Sequence, residues 1–516
     1  MRCRIASRSQ SASGGGRGAS SFPTVRGAMK AWGRRLLLTG IAGLLAANAG
    51  ASSDADEALR ALLAQRALRG SRVGVVVASL ESGKRLLARN PNELLVPASN
   101  QKLLLAATAL AHWGPAARFE TPVFVDGPVD AQGVLMGTLW IQGRGDPTLV
   151  SESLWKLAEE IRLHGISQIR GGIGVDSSYF EPLQIHPDWE PASLRAYHAP
   201  SSAFAANYSS YRIEIRAAAE AGRPATVRVA PFTPYFRIRS DVLTIAQPGP
   251  LELDLGPLPD GSGERVGVRG VVPLAGKPKT YWRAVTLPEL YAASLLRTQL
   301  ETQGVRVRGP IRVGRLPESA RELLRFKGEP VGQIIGKLNK FSNNFIAAQL
   351  TKALGAEVHG APGSWKKGIR VIQAHLDRIG SDAPRPVIVD GSGLSPRNRL
   401  SAGLLVDVVR DAVRRFDSGP EFVASLPLGG LDGTLEDRME GGQTHVRGKT
   451  GHLRHVSSLT GLLPGAGEWL VFSVLVNGAR GSSPDVDAAI DAFIADLSAS
   501  ESLSAISAGG VTGGGR

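Results

Sequence analysis

Cysteine is almost missing from this chain: Cys3 is the only one among 516 residues. No disulfide can form within the chain, and sites built from several thiolates are excluded. Long apolar runs are also scarce. After residue 55 none approaches the roughly 18 residues that span a bilayer. The nine histidines include no H-x-x-x-H accompanied by a glutamate, so helical zinc-hydrolase chemistry is not supported. Lysine is rare beside arginine, 13 against 47. At two motif positions, 102 and 449, where arginine could not replace a titratable amine or compact ammonium, the residue is lysine.

The chain does have the composition of a folded soluble protein, with 43% hydrophobic and 21% charged residues and enough length for two or three domains. Residues 1–28, rich in Ser, Gly and Arg, hold little that could build a core and read as a non-native leader or a misassigned start. Residues 29–51 combine a basic segment, a short apolar run and Ala47-Asn48-Ala49, the pattern of a secretory signal peptide. Arg34-Arg35 admits twin-arginine export, but the flanking residues favour the general route. Arg2, Arg4, Arg8, Arg17, Arg26, Lys30, Arg34 and Arg35 all precede the cleavage site, with no acidic residue among them. Their removal takes the net charge from +14 to about +6, too mild to argue for nucleic acid. The expected location is the periplasm or cell envelope, where the absence of cysteine is a choice and not a necessity. Peripheral membrane association and a homodimer are left open.

Along the expected mature chain, 54–69 reads as an amphipathic helix and Ser71–Leu87 as a hairpin. From about 118 to 282, short β-like runs are separated by Gly and Pro, with one helical stretch at Glu152–His164. Helical periodicity returns over Leu287–Gln303, Val331–Leu354, Trp365–Gly380 and Asp485–Leu497. Strands are expected at Thr444–Val446, His455–Leu463 and Trp469–Asn477. Residues 499–516 form a Ser/Gly-rich tail.

Three short motifs carry chemistry, in this order: Ser99-Asn-Gln-Lys102, Ser342-Asn-Asn344 and Lys449-Thr-Gly451. A serine hydroxyl needs an adjacent base to act as a nucleophile. Positions i and i+3 share a helix face, so Lys102 can reach Ser99. The apolar Leu103–Leu110 run that follows predicts a buried helix, and burial favours the neutral amine. Ser342 would supply a relay hydroxyl and Asn344 a positioning amide. Lys449 and Thr450, on a strand edge, would bind a terminal carboxylate, with Gly451 admitting the substrate backbone. Backbone N–H groups of Ser99 and His452 are the candidate oxyanion donors. Each motif alone is a weak signal; the combination in this order is that of penicillin-binding proteins and β-lactamases.

The likeness extends to Val96-Pro-Ala-Ser-Asn-Gln-Lys102, Gly143-Arg-Gly-Asp-Pro-Thr-Leu149, Leu338-Asn-Lys-Phe-Ser-Asn-Asn344, Asp390-Gly-Ser-Gly-Leu-Ser395 and Arg447-Gly-Lys-Thr-Gly451. The chain resembles the serine-type D-alanyl-D-alanine carboxypeptidase/endopeptidase family, the class C low-molecular-mass penicillin-binding proteins. That resemblance implies an α/β transpeptidase-like domain, an antiparallel sheet with flanking helices plus a helical subdomain, formed by 54–117 and 283–498 and split by the β-rich insertion 118–282. It implies hydrolysis of peptidoglycan stem peptides through an acyl-enzyme on Ser99, covalent inhibition by β-lactams, and no cofactor or metal. His452 departs from the small hydroxylated residue usual after K-T-G. Asp390 and Asp146 read as structural residues of their loops.

Two enzymatic readings and one binding reading remain at this point: the peptidase, a β-lactamase, and a non-catalytic module that binds murein or a partner. A nucleotide-binding loop is rejected, because Gln443 stands where Walker A needs glycine and Leu435–Met439 reads as a helix. His445, His452 and His455 alternate badly for a shared face, which favours structural roles.

Overall fold

The computed structural model describes residues 54–189, 193–439, 445–465 and 468–499. The expected leader, the signal peptide, Thr444 of one expected strand and nearly all of the tail lie outside them.

The valine-rich segment Arg72–Ser79 (β1) is buried along all but its first residue, which marks a strand covered on both faces. It is paired antiparallel with Arg85–Arg89 (β2) on one side. Of Arg447–Leu453 (β3), Val456–Pro464 (β4) and Trp469–Asn477 (β5), the last flanks β1 on its other side, giving an antiparallel sheet in the order β3-β4-β5-β1-β2. The period of two sorts the β1 side chains. Val73, Val75 and Val77 face a helix at 54–64 (α1) and a C-terminal helix, through Ala55, Leu62, Ile490 and Phe493. Val76 and Ala78 face the opposite layer.

That layer centres on Gln101–Trp113 (α2), in which every residue from Gln101 to Leu110 is buried. A helix apolar on all sides can be stable only inside a helical shell. Val331–Lys340 (α3), Asn344–His359 (α4), Trp365–Ile379 (α5), Ala402–Arg414 (α6) and Gly419–Ser425 (α7) supply it, and Ser483–Ala499 (α8) closes the other face of the sheet. The periodic stretch 331–354 is not one helix. It breaks at Phe341–Asn343, where Ser342 takes a left-handed φ of 52° and the Asn343 carboxamide caps α4 by accepting from Ile346 N–H at 3.0 Å. The helix expected at Leu435–Met439 is also absent. A single 3-10 turn at Gly433–Leu435 folds the chain back, with Gly430 N–H donating to the Arg438 carbonyl.

The insertion is β-rich and carries its own core. Strands Ile311–Val313, Ile173–Asp176, Leu139–Gln142, Arg118–Val125 and Arg321–Pro330 form a mixed sheet in that order. Helices Ser151–Leu163 and Pro288–Thr302 pack on it through Leu157, Ile161, Tyr291 and Leu295. Residues 283–330, expected with the catalytic domain, pair and pack here instead. The amphipathic face of Pro288–Thr302 has no sequence mark of which core it joins. We therefore place the return to the catalytic domain at Val331. Two three-stranded sheets complete the insertion: Phe236–Ile245 with Leu251–Pro257 and Glu264–Pro273, and Ser210–Arg216 with Thr226–Ala230 and Lys279–Ala284. Among the described residues no helix is long and apolar enough to cross a membrane.

The packing of α2 can be tested directly. Leu105 is fully buried among its neighbours. Leu105→Ala should destabilise the protein by about 2–5 kcal/mol and lower the urea midpoint without changing the slope. A loss under about 1 kcal/mol would contradict the buried placement of this helix.

Candidate active site

Ser99 lies in the 3-10 turn Ala98–Asn100 that leads into α2. The turn is held from three directions. Ala98 has a φ of +47°, a strained value for a residue with a Cβ. Behind it stands Gly393, where any Cβ would run into the Ala98 carbonyl oxygen. From the sheet, Ser458 of β4 accepts from the Asn100 carboxamide and donates to the Pro97 carbonyl at 2.8 Å. Asn477 of β5 grips the approach to the turn, accepting from Val96 N–H at 2.7 Å and donating to its carbonyl at 3.0 Å.

Lys102, one turn on, is fully buried. Its Nζ lies 2.9 Å from Ser99 Oγ, 2.7 Å from Asn344 Oδ1 and 2.6 Å from the Ser392 carbonyl oxygen. The last two partners can only accept. The first, a hydroxyl, can donate. A neutral amine therefore commits two N–H bonds to Asn344 and Ser392 and turns its lone pair to the Ser99 hydroxyl. The Asn344 carboxamide is held in this sense by its own N–H₂, which donates to the Tyr197 carbonyl at 3.0 Å. Burial lowers the Lys102 pKa from 10.5 to about 7, with the Asp390 carboxylate opposing part of that shift.

Asp390 organises the loop that offers the Ser392 carbonyl. Its carboxylate accepts from the N–H groups of Ser392, Gly393 and Ser395 at 3.0, 2.6 and 2.9 Å, and from Trp189 Nε1 at 2.7 Å. The loop is structural, as the sequence suggests, but it also supplies one acceptor to Lys102. Asp146, by contrast, closes its own turn by accepting from the Thr148 N–H and hydroxyl at 2.8 and 2.6 Å.

Ser99, Ser342, Asn344, Thr450, Gly451 and His452 line one cavity of about 790 Å³. The break between α3 and α4 is what turns Ser342 toward it. Lys449 sits on the edge strand β3. It is fully buried behind the wall, donating to Ser342 Oγ at 2.9 Å and to the Thr450 carbonyl at 2.8 Å. Burial first, and then the nearby Lys102 charge, push its pKa well below the usual lysine value. Thr450, which faces the cavity, is held by Thr434 at 2.7 Å. Gly451, expected to admit the substrate backbone, is also required by the fold. A Cβ there would stand 2.8 Å from Ser99 N and 2.9 Å from the Pro97 carbonyl oxygen, so only glycine lets β3 run alongside the serine turn.

The His452 imidazole turns to α8, with Nε2 2.7 Å from Asp487 Oδ2. Burial alone would raise the Asp487 carboxyl; the His452 hydrogen bond, the Arg438 charge and the Ser457 hydroxyl outweigh it and hold the pKa below the ordinary value. His455 is bound instead to the Ala479 carbonyl. Among the described residues no group of three or more His, Cys, Asp or Glu side chains is placed to hold a metal ion. Ser392, Thr434 and Tyr197 were not singled out from sequence. Only the first lies in a quoted motif, and two of the three act through the backbone.

Known proteins carry the same frame. Residues 55–497 match the model of the D-Ala-D-Ala carboxypeptidase 3 (S13) family. A D-alanyl-D-alanine carboxypeptidase of Actinomadura sp. (strain R39) is 33% identical over 470 residues, 87% of this chain and 86% of that protein. The D-alanyl-D-alanine carboxypeptidase DacB of Haemophilus influenzae is 26% identical over 425 residues, 81% of this chain and 87% of its own. The crystal structure of penicillin binding protein 4 (dacB) from Haemophilus influenzae superposes with a TM-score of 0.72 at 24% identity, covering 84% of this chain and 97% of the other, which establishes a common fold. With a family model spanning nearly every described residue and a relative of this identity over most of its length, the chain belongs to the D-Ala-D-Ala carboxypeptidase 3 (S13) family of serine peptidases.

Proposed function

We propose that Ser99 and Lys102 carry out D-alanyl-D-alanine peptide hydrolysis through an acyl-enzyme. The observation that carries this reading is the contact set of Lys102: two obligate acceptors and one hydroxyl around a buried amine. The Ser99 proton moves to the Lys102 lone pair as Oγ bonds to the carbonyl carbon of the penultimate D-alanine. The developing oxyanion is met by the backbone N–H groups of Ser99 and His452; the missing Cβ of Gly451 lets the strand that carries His452 approach Ser99. Collapse breaks the C–N bond, and the leaving amine takes a proton through Lys102 or the Ser342 hydroxyl. Water then releases the acyl group by the same steps in reverse order.

Ser342 and Thr450 receive the terminal carboxylate at the cavity wall. Lys449 stabilises it from behind through Ser342 and does not reach it directly. With D-alanine as leaving group the reaction is a carboxypeptidase step; with a cross-linked neighbouring stem it is an endopeptidase step. β-Lactams acylate Ser99 in the same geometry. The protein works outside the cytoplasm, exported by the segment at 29–51, and its mild positive charge suits an anionic envelope.

Incubation with a labelled penicillin, followed by intact mass and peptide mapping, should place one stable adduct on Ser99. Rapid loss of the drug without an adduct would contradict the reading. Ser99→Ala should abolish labelling and hydrolysis with the thermal midpoint kept. Lys102→Arg should slow acylation by about 10²–10⁴-fold, because guanidinium cannot accept the proton. Gly451→Ala should slow it by about 10²–10³-fold, the scale of losing one oxyanion donor; acylation within a few-fold of the parent would show that β3 need not approach Ser99.

The pH dependence follows from the sign of the Lys102 shift. The base must be neutral, and protonation at a pKa of about 7 removes it. The acylation rate should therefore fall about tenfold per unit below pH 7 and level off above pH 8. A flat profile between pH 5.5 and 8 would rule out Lys102 as the base.

A further inference from the structure

The sheet formed by Ser210–Arg216, Thr226–Ala230 and Lys279–Ala284 has one face in the insertion core and one in solvent. Tyr211, Ile213 and Ile215 point inward and are fully buried. The alternate residues point out. Strand register places Trp282, Arg212 and Ala230 side by side in one outward row, and Thr280, Glu214 and Arg228 in the next. Trp282 is 56% exposed and Phe232, two residues beyond Ala230, is 79% exposed. Arg212 and Arg228 are exposed too, as is Arg216 at the far end, paired to Glu214 at 3.0 Å. Large aromatic side chains left in solvent beside arginines usually mark a recognition surface.

Backbone contacts tie this face to the segment that walls the catalytic cavity. Arg283, next to Trp282, forms an antiparallel bridge with Arg195, and Ala284 N–H donates to the Leu194 carbonyl at 2.9 Å. Two residues past Arg195, Tyr197 lines the cavity and its carbonyl accepts from Asn344. The aromatic row is the one nearest the active-site end of the sheet. At about 3.3 Å per residue it lies on the order of 10–15 Å from the cavity wall.

We propose that this outward face is a docking surface for a peptidoglycan strand whose stem peptide occupies the cavity, an inference that rests on the function proposed above. The occupant fits by charge and by position. Stem peptides carry carboxylates, which the exposed arginines Arg195, Arg212 and Arg228 complement, with Glu214 the one acidic residue in the two outward rows. The flat indole of Trp282 offers an apolar plane with a polar edge, suited to a sugar ring. A polymer held at the cavity by one stem extends past its mouth, and Tyr197 and Arg195 lead from there to this face.

The test compares the full mature protein with a Trp282→Ala/Arg212→Glu variant in co-sedimentation with purified insoluble peptidoglycan, in a Ser99→Ala background so that the polymer stays intact. The variant should bind at least about tenfold more weakly. With Ser99 intact, it should keep its penicillin labelling rate and its hydrolysis of a soluble acyl-D-alanyl-D-alanine peptide within twofold. Sedimentation equal to the parent overturns the docking surface. Failure of the parent to label with penicillin strikes the proposed function instead. Should the double variant lose thermal stability, Glu214→Lys decides: it should bind the polymer more tightly by threefold or more, and unchanged binding overturns the proposal. Loss of binding to phosphatidylglycerol vesicles with peptidoglycan binding kept would reassign the face to a membrane surface and also overturn it.

Discussion

Everything in this molecule depends on keeping one amine out of water. Lys102 has no solvent contact, and its Nζ meets two oxygens that can only accept and one hydroxyl that can give. An ammonium there would lose most of its hydration for three hydrogen bonds, and the Asp390 carboxylate offsets only part of that loss. The neutral amine suits the site better, and a neutral amine beside a serine hydroxyl is a base. On the function proposed, the catalytic property is a consequence of burial.

The architecture can be traced from that requirement. Burying α2 takes a sheet on one side and a shell of helices on the other, and each of these layers also supplies a working group. The helical shell gives Asn344 and Ser342, at the ends of the break between α3 and α4. The sheet gives Thr450 and Gly451 at its edge strand, close against the serine turn. The Asp390 loop gives the Ser392 carbonyl. The insertion contributes from outside the catalytic domain. Its Tyr197 carbonyl orients Asn344, its Trp189 hydrogen-bonds Asp390, and Arg397 of the catalytic domain pairs with its Asp188. A segment read from sequence as a β-rich insertion therefore helps to set the polarity of the Lys102 site.

Much of this was legible in the sequence, for identifiable reasons. The S-x-x-K spacing followed by an apolar run specifies both the pairing of Ser99 with Lys102 and its burial, because helical geometry and side-chain polarity are local properties. The valine run of β1 announces a strand covered on both faces for the same reason. The break at Ser342 was not legible: the apolar period continues across 331–354, and the interruption comes from a left-handed serine and the Asn343 cap. The boundary we place at Val331 lies about 50 residues beyond the one read from sequence, since the partner of an amphipathic helix is a tertiary fact. The full burial of Lys449 behind Ser342 was not legible, because depth below a cavity wall cannot be read from a motif. The close approach of Gly451 to the Pro97–Ser99 turn was not legible either, because that turn lies about 350 residues away in the chain.

The claim that burial makes Lys102 a base can be measured without following the reaction. Lysine labelled with ¹³C at Cε would be titrated by NMR, with the Lys102 resonance assigned by its loss in the Lys102→Arg protein. The geometry predicts a midpoint close to pH 7 for this one resonance, far below the ordinary lysine value of 10.5. A midpoint near 10 would mean that the amine is charged at neutral pH, and would contradict the account at its centre.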